Sequence, residues 1–256
     1  MSPVGAIVRR ELRAYFSSPI AYVIGAVFLF LIGLLSYLAA LTASNRSLQM
    51  LRMQGNLPDL NINDLVFRPV FYNMAVVLLL VAPILTMRLI AEEKKLKTME
   101  LLLTSPVTVT DIVVGKFVAA LTIFAGMLLF SAASPLALTL FVNFRWAPIF
   151  TAYLGVLLLG GLFLGAGLLA SSLTENQIIA VMVSFGALLM FWLFGWAGQL
   201  LGDTAPGKVL LYLSPMDHFE NLVKGLVDTK DLVYFSAGIA LSLFVTHRVI
   251  DSQRWR

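Results

Sequence analysis

The sequence predicts an all-α integral membrane protein with six transmembrane helices, and three observations lead there. Of 256 residues, 59% are hydrophobic and only 12% charged, whereas a soluble domain carries about 25% charged residues. That is too little polar surface to cover a water-facing globule, and mean hydropathy is correspondingly high at +0.90. Apolar runs of bilayer length recur six times, at about 20–43, 70–87, 112–142, 149–173, 178–201 and 232–249, where a helix needs about 20 residues to cross. Charge is gathered between them. Arg88, Glu92, Glu93, Lys94, Lys95, Lys97 and Glu100 fall within 13 positions, and no charge follows Lys116 until Arg145. At this length residues 1–256 form one membrane domain with no room for a soluble enzyme domain. With no cysteine there is no disulfide framework and no thiolate metal site.

Residues 3–18 come first. Val4, Ile7, Val8, Leu12, Tyr15 and Phe16 share one side of a helix, and Arg9, Arg10 and Arg13 lie on the other. This is the pattern of a helix lying in the membrane interface. Glu11 falls on the apolar side, where a carboxylate either pairs with a lysine of the 92–97 island or snorkels to water. Ser17-Ser18-Pro19 separates this helix from span one. A cleaved signal peptide is the rival reading of that span, but its apolar region runs only about 7–15 residues, so a retained span is expected. Residues 44–69, with Asn, Asp, Gly and Pro, read as a polar linker to span two, which contains Pro83.

Thr108-x-x-Asp111 has the form of a capping box at the start of span three. That helix can run from Val109 to Val142, longer than a bilayer requires, so its first turns, with Asp111 and Lys116, are expected in the cytoplasm. Pro135 is expected to kink it. Span four carries Gly155, Gly160, Gly161, Gly165 and Gly167, and span five ends on Gly198-x-x-x-Gly202. The pairs Gly161/Gly165 and Gly198/Gly202 suit close helix packing. Thr174-x-x-Gln177 reads as a second capping box between spans four and five. Residues 202–231 are amphiphilic and broken by Pro206 and Pro215, so short helices dipping into the outer interface are expected before span six. Six spans put both termini on one side with 11 of the 18 basic residues, which makes that side and the charged island cytoplasmic.

Several chemistries are excluded. Gly115-Lys116 lacks the earlier Gly and the following Ser or Thr of a phosphate-binding loop. His218 and His247, the only histidines, fall on opposite sides of the membrane and cannot share a metal. A cation held by His218 with Asp217 and Glu220 is a minor alternative to a structural histidine. The spans lack the mid-membrane Asp, Glu, Lys or Arg that ion-coupled transporters use. If the protein moves cargo, a lipid-like or amphiphilic molecule suits the tract and a partner must supply the energy.

Four blocks resemble the ABC-2-type permeases of ATP-binding-cassette exporters: RELRAYFSSPIAYV at 10–23, AEEKKLKTMELLLTSPVTVTDIVVGKF at 91–117, SSLTENQIIA at 171–180, and YLSPMDHF to DLVYF at 212–235. Order and spacing agree across nearly the whole chain, and the second block is the most specific. The flavour is similar to the gliding-motility permeases and their relatives, which include the copper-site maturation permeases of nitrous oxide reductase. The resemblance implies two permease subunits, as a homodimer or with a paralogue, and two ATPase subunits that bind the ATP and Mg. This chain then binds no cofactor or nucleic acid, is not itself an enzyme and sits in the bacterial inner membrane. Gliding-type relatives often work beside a membrane subunit with a large periplasmic domain. The resemblance further implies a coupling helix around Glu92–Thr104, with Glu11, Glu92, Glu93, Lys94, Lys95, Glu100 and Thr104 as ATPase-coupling residues. It implies an outer gate or a re-entrant helix at 206–227, with Pro215, His218 and Phe219 as gate residues. ATP-driven export or mechanotransmission is the expected function, and a non-transporting anchor for a periplasmic or motility complex is the alternative.

Overall fold

The computed structural model describes residues 2–54, 61–99, 107–142 and 144–253. Among them every regular element is helical, and six helices are long and apolar enough to cross a membrane. Helix α1, Pro3–Ser17, starts where the Ser2 side chain accepts the Gly5 N–H and Pro3 takes the first turn. It buries Ile7, Glu11 and Tyr15, a stripe at four-residue spacing, and leaves Arg9, Arg10 and Arg13 exposed.

Helix α2, Pro19–Gln54, is 36 residues long. The expected linker at 44–69 is therefore helical through its first part. Residues 43–54 are polar but contain neither Pro nor Gly, and polarity alone does not end a helix. A π-helical turn, Asn63–Phe67, then leads into α3, Arg68–Thr86. Asn63 Nδ2 donates to the Arg145 carbonyl at 3.2 Å, which ties this turn to the connection between spans three and four. A turn at 87–90 precedes the short helix α4, Ala91–Lys95.

Helix α5, Val109–Ser131, opens on the expected capping box: Thr108 Oγ1 accepts the Asp111 N–H and Asp111 Oδ2 accepts the Thr108 N–H, both at 3.1 Å. The helix stops at Ala132, and α6, Ala133–Leu138, follows with turns at 139–141. Span three is thus interrupted at the single residue Ala132, three positions before Pro135, and it is helical to Leu138 rather than Val142. Pro135 explains the position of the break, because its ring crowds the carbonyl four residues back, at Ser131, and offers it no N–H.

Helix α7, Ala147–Leu173, is the hub of the bundle and packs against α3, α5, α8, α10 and α11. Its glycines set those contacts. A Cβ on Gly160 would lie 2.1 Å from the Phe124 ring of α5, and one on Gly155 would lie 2.9 Å from Leu222 of α10. Gly161 and Gly165 face α11, where a Cβ would meet Ile239 at 3.0 Å and Ser242 at 3.2 Å. Helix α8, Gln177–Leu201, is capped by Asn176, whose Oδ1 accepts the Ile178 N–H at 2.9 Å. Thr174, the expected cap, instead accepts the Asn176 N–H. It sits too early to reach the orphan donors of a helix that starts at Gln177.

The segment after α8 folds as two short helices, α9 at Ala205–Leu213 and α10 at Pro215–Val223, before α11 at Thr229–Gln253. Gly198 packs as expected, since a Cβ there would lie 3.0 Å from the Gly207 carbonyl of α9. Gly202 has a different job. Space around it is open, and at φ +57° it reverses the chain where other residues would be strained.

Candidate functional site

At the end of the bundle where α4 lies, four charges meet. Glu11 Oε1 on α1 accepts from Lys116 Nζ on α5 at 2.9 Å and from Arg10 Nη2 at 2.7 Å. Lys116 Nζ also reaches Glu93 Oε1 on α4 at 3.0 Å, and Arg10 donates to that same oxygen. Two cations and two anions from three helices make a neutral junction. Only 1% of the Lys116 side chain is exposed, against 11% for Glu11 and 14% for Glu93. A lone ammonium buried this deeply would cost several kcal/mol, and flanking carboxylates offset that.

Gly115 explains how the junction forms. A Cβ there would lie 2.8 Å from Ile7 Cγ2, so α1 rests directly on the α5 backbone and lowers Glu11 onto Lys116. Two expectations are corrected here. Lys116 is buried rather than standing in solvent, because α1 covers it. Glu11 pairs with Lys116 and Arg10 rather than an island lysine, and the island contributes the anion Glu93 instead. Burial pushes the Glu11 carboxyl up, but the Lys116 charge and the hydrogen bonds from Arg10 and Lys116 together outweigh it and hold the group below its ordinary 4.5.

A second set of contacts fixes α4 to α7. Ser171 Oγ accepts the N–H groups of Ile90 and Ala91 at 3.2 and 3.1 Å and donates to the Met87 carbonyl at 2.9 Å. It thus satisfies donors at the start of a five-residue helix that has no cap of its own. Lys94 donates to the Ser172 carbonyl. Arg88 pairs with Glu92 at 2.9 Å and donates to Ser18 Oγ at 2.9 Å, beside the joint of α1 and α2.

Of the coupling candidates, then, Glu11, Glu92, Glu93 and Lys94 are engaged within the chain. Lys95, Leu96 and Lys97 point outward, with Leu96 63% exposed and Lys97 at φ +55°. Glu100 and Thr104 lie outside the described residues. Asp111 serves as the α5 cap. A cavity of about 290 Å³ opens beside the junction, lined by Tyr15, Arg88, Glu93, Leu96 and Lys116 among others. Glu93 Oε2 has no partner among the described residues. From the sequence Gly115 was weighed only as part of a phosphate-binding loop, and the Ser171 staple went unseen, although both lie inside blocks that carried the family resemblance.

At the other end of the bundle His218 is buried. Its Nδ1 lies 2.6 Å from Asp231 Oδ1, its Nε2 3.0 Å from the Tyr212 carbonyl, and its ring stacks on Tyr234 at 4.0 Å. Asn221 Nδ2 donates to the other Asp231 oxygen at 3.0 Å. The expected neighbours Asp217 and Glu220 are not partners, since sequence proximity on α10 does not place them on the histidine's face. Asp231, fully buried at the start of α11, was missed. With Lys116 it shows that the ends of the spanning helices carry buried charge. Pro215 opens α10, and Phe219 packs over Gly155 and edge-on to Tyr72 at 6.1 Å. Among the described residues no three His, Asp or Glu side chains are grouped to hold a metal ion.

No individual curated protein matches the chain. The family described as ABC-2 family transporter protein matches residues 5–249, nearly the whole length. In that family the ATPase is normally a separate subunit. The six-span bundle with its broken third span and paired short helices is thus the multi-pass permease subunit of an ABC transporter, and the chain belongs to the ABC-2 transporter family.

Proposed function

We propose that this permease receives the conformational change of an ATPase through α4 and α1 and passes it to α5 and α7, driving export or force transmission. Support comes chiefly from one observation: Lys116 on α5 is buried between Glu11 of α1 and Glu93 of α4. A push on α4 cannot separate it from α5 without exposing a charge, so three elements move as one body. Ser171 extends that body to α7. A ligand or partner shifts a conformational equilibrium only through contacts that differ between the states. Lys95, Leu96 and Lys97 are the exposed residues of α4 and its C-terminal turn and supply such contacts.

The working unit on this reading has two ATPase subunits, which carry the ATP and Mg, and a second permease copy or a paralogue. The chain binds no cofactor itself. The charge balance of the loops favours cytoplasmic termini and a cytoplasmic α4, in a bacterial inner membrane. The resemblance of the four blocks extends this reading to the gliding-motility branch, whose members often work beside a membrane subunit with a large periplasmic domain. Lys95→Glu with Lys97→Glu tests the docking surface. Both side chains are exposed, so folding is unchanged, while co-purification of the ATPase and its stimulation by the permease fall at least tenfold. Full retention of both would contradict the reading and favour a non-transporting anchor.

A further inference from the structure

A second cavity lies in the membrane-facing wall at the end of the bundle away from the ionic junction. It is a cleft of about 730 Å³ between α5, α6 and α7, lined by Ala125, Leu128, Ala132, Leu136, Trp146 and Tyr153 among others. That volume falls within the range of small-molecule sites, about 300–1,000 Å³. The interruption at Ala132 falls within it, and residues on both sides of Ala132 line the cleft together with α7.

The chemistry of the walls restricts the occupant. Tyr153 is the hydroxyl-bearing residue of the lining, and its OH lies 3.2 Å from Ser131 Oγ, which in turn donates to the Leu128 carbonyl at 2.7 Å. A sugar or peptide would find its polar groups unmatched there. A second transmembrane helix is also a poor fit. Helices pack in membranes through small residues that let backbones approach, whereas this wall presents Leu129, Leu136 and Phe150, 75%, 56% and 67% exposed. The open helical glycines, Gly25 and Gly33 of α2, Gly126 of α5 and Gly186 of α8, do not line the cleft.

The rim is built differently from the walls. Trp146 is held between Phe144 at 5.3 Å and Phe150 at 5.9 Å, and Phe144 stacks edge-on to Phe67 at 4.7 Å. A fixed indole of this kind marks the headgroup level. Arg145, the next residue, is exposed, and among the described residues its guanidinium has no carboxylate partner. Apolar walls with a free cation at the rim match an amphiphile with an anionic head. We propose that this cleft binds one acyl chain of an anionic membrane phospholipid, with Arg145 on its headgroup.

The test uses the purified permease with Trp192, Trp196 and Trp255 replaced by Phe, leaving Trp146 as reporter. It is reconstituted in phosphatidylcholine vesicles containing a minor fraction of lipid brominated on the acyl chain, which quenches tryptophan on contact. Brominated phosphatidylglycerol is expected to show about fivefold higher relative association than brominated phosphatidylcholine, equivalent to about 1 kcal/mol for one basic residue at an anionic surface. Arg145→Gln, an exposed change that leaves the fold intact, removes that preference. Ala125→Phe fills the cleft and removes the quenching by both lipids. Equal association of the two lipids with the unmodified cleft would overturn the proposal. So would a cross-link between two copies through a cysteine placed at Leu136, since a protein surface would then cover the wall.

Discussion

Lys116 is an ammonium with 1% of its side chain exposed, held by carboxylates from two other helices. Removing one partner of a buried ion pair typically costs about 3–5 kcal/mol, because the remaining charge is left unpaired. Lys116→Met leaves Glu11 and Glu93 to share the single, half-exposed cation Arg10. Unfolding in detergent is expected to show a loss of that size, and a loss below about 1 kcal/mol would mean that water enters the junction freely. Glu11 adds a pH dependence. A carboxyl held below its ordinary value contributes stability that is present above the unfolded value and lost as pH falls through the folded one. Melting temperature should therefore fall as pH drops below 4.5, and Glu11→Gln should flatten that part of the profile.

At this scale the sequence was partly legible. The helical period placed Glu11 on the apolar side and demanded a partner. It could not name Lys116, because that pairing is made by α1 lying on α5 at Gly115, a contact over a hundred residues away in the chain. His218 behaves alike. Its neighbours in sequence are acidic, yet its partner Asp231 arrives from the next helix.

Among the elements, α4 is the one with least internal support, since five residues cannot hold a helix alone. Ser171 supplies what its first turn lacks. Ser171→Ala removes two accepted bonds and one donated bond and should destabilise by about 1–3 kcal/mol. Hydrogen exchange should show the effect confined to 87–95, and uniform protection there would contradict the assignment. Helix α7 fails differently. Gly160→Ala drives a methyl to 2.1 Å from the Phe124 ring, an overpacking worth about 1–3 kcal/mol. It should part α5 from α7 and leave α4 intact.

Boundaries between elements were the weaker part of the sequence reading, for two physical reasons. The polar composition of residues 44–54 reads as linker, yet nothing in them breaks a helix, so α2 runs on to Gln54. Pro135 disturbs span three as its chemistry requires, but the interruption falls upstream at Ala132, because the ring crowds the carbonyl four residues back. The caps show both outcomes. Thr108 and Asp111 form the expected box, while Asn176 displaces Thr174.

In the whole molecule the six spans and the amphipathic first helix follow from hydropathy alone, because a bilayer sets the length and polarity of each crossing. What hydropathy cannot show is which helix is central. The hub is α7, chosen by glycines that face α3, α5, α10 and α11 at once. The functional reading depends on α1, α4 and α5 behaving as a single body at one end of that hub. The chain has no cysteine, so spin labels can be placed at will. Labels on introduced cysteines at the exposed Ala6 and Thr110 in the permease–ATPase complex report the α1–α5 separation directly. The account predicts one narrow distance that is the same with and without bound nucleotide and broadens in Lys116→Gln. A distance that changes with nucleotide in the otherwise unaltered chain would contradict it.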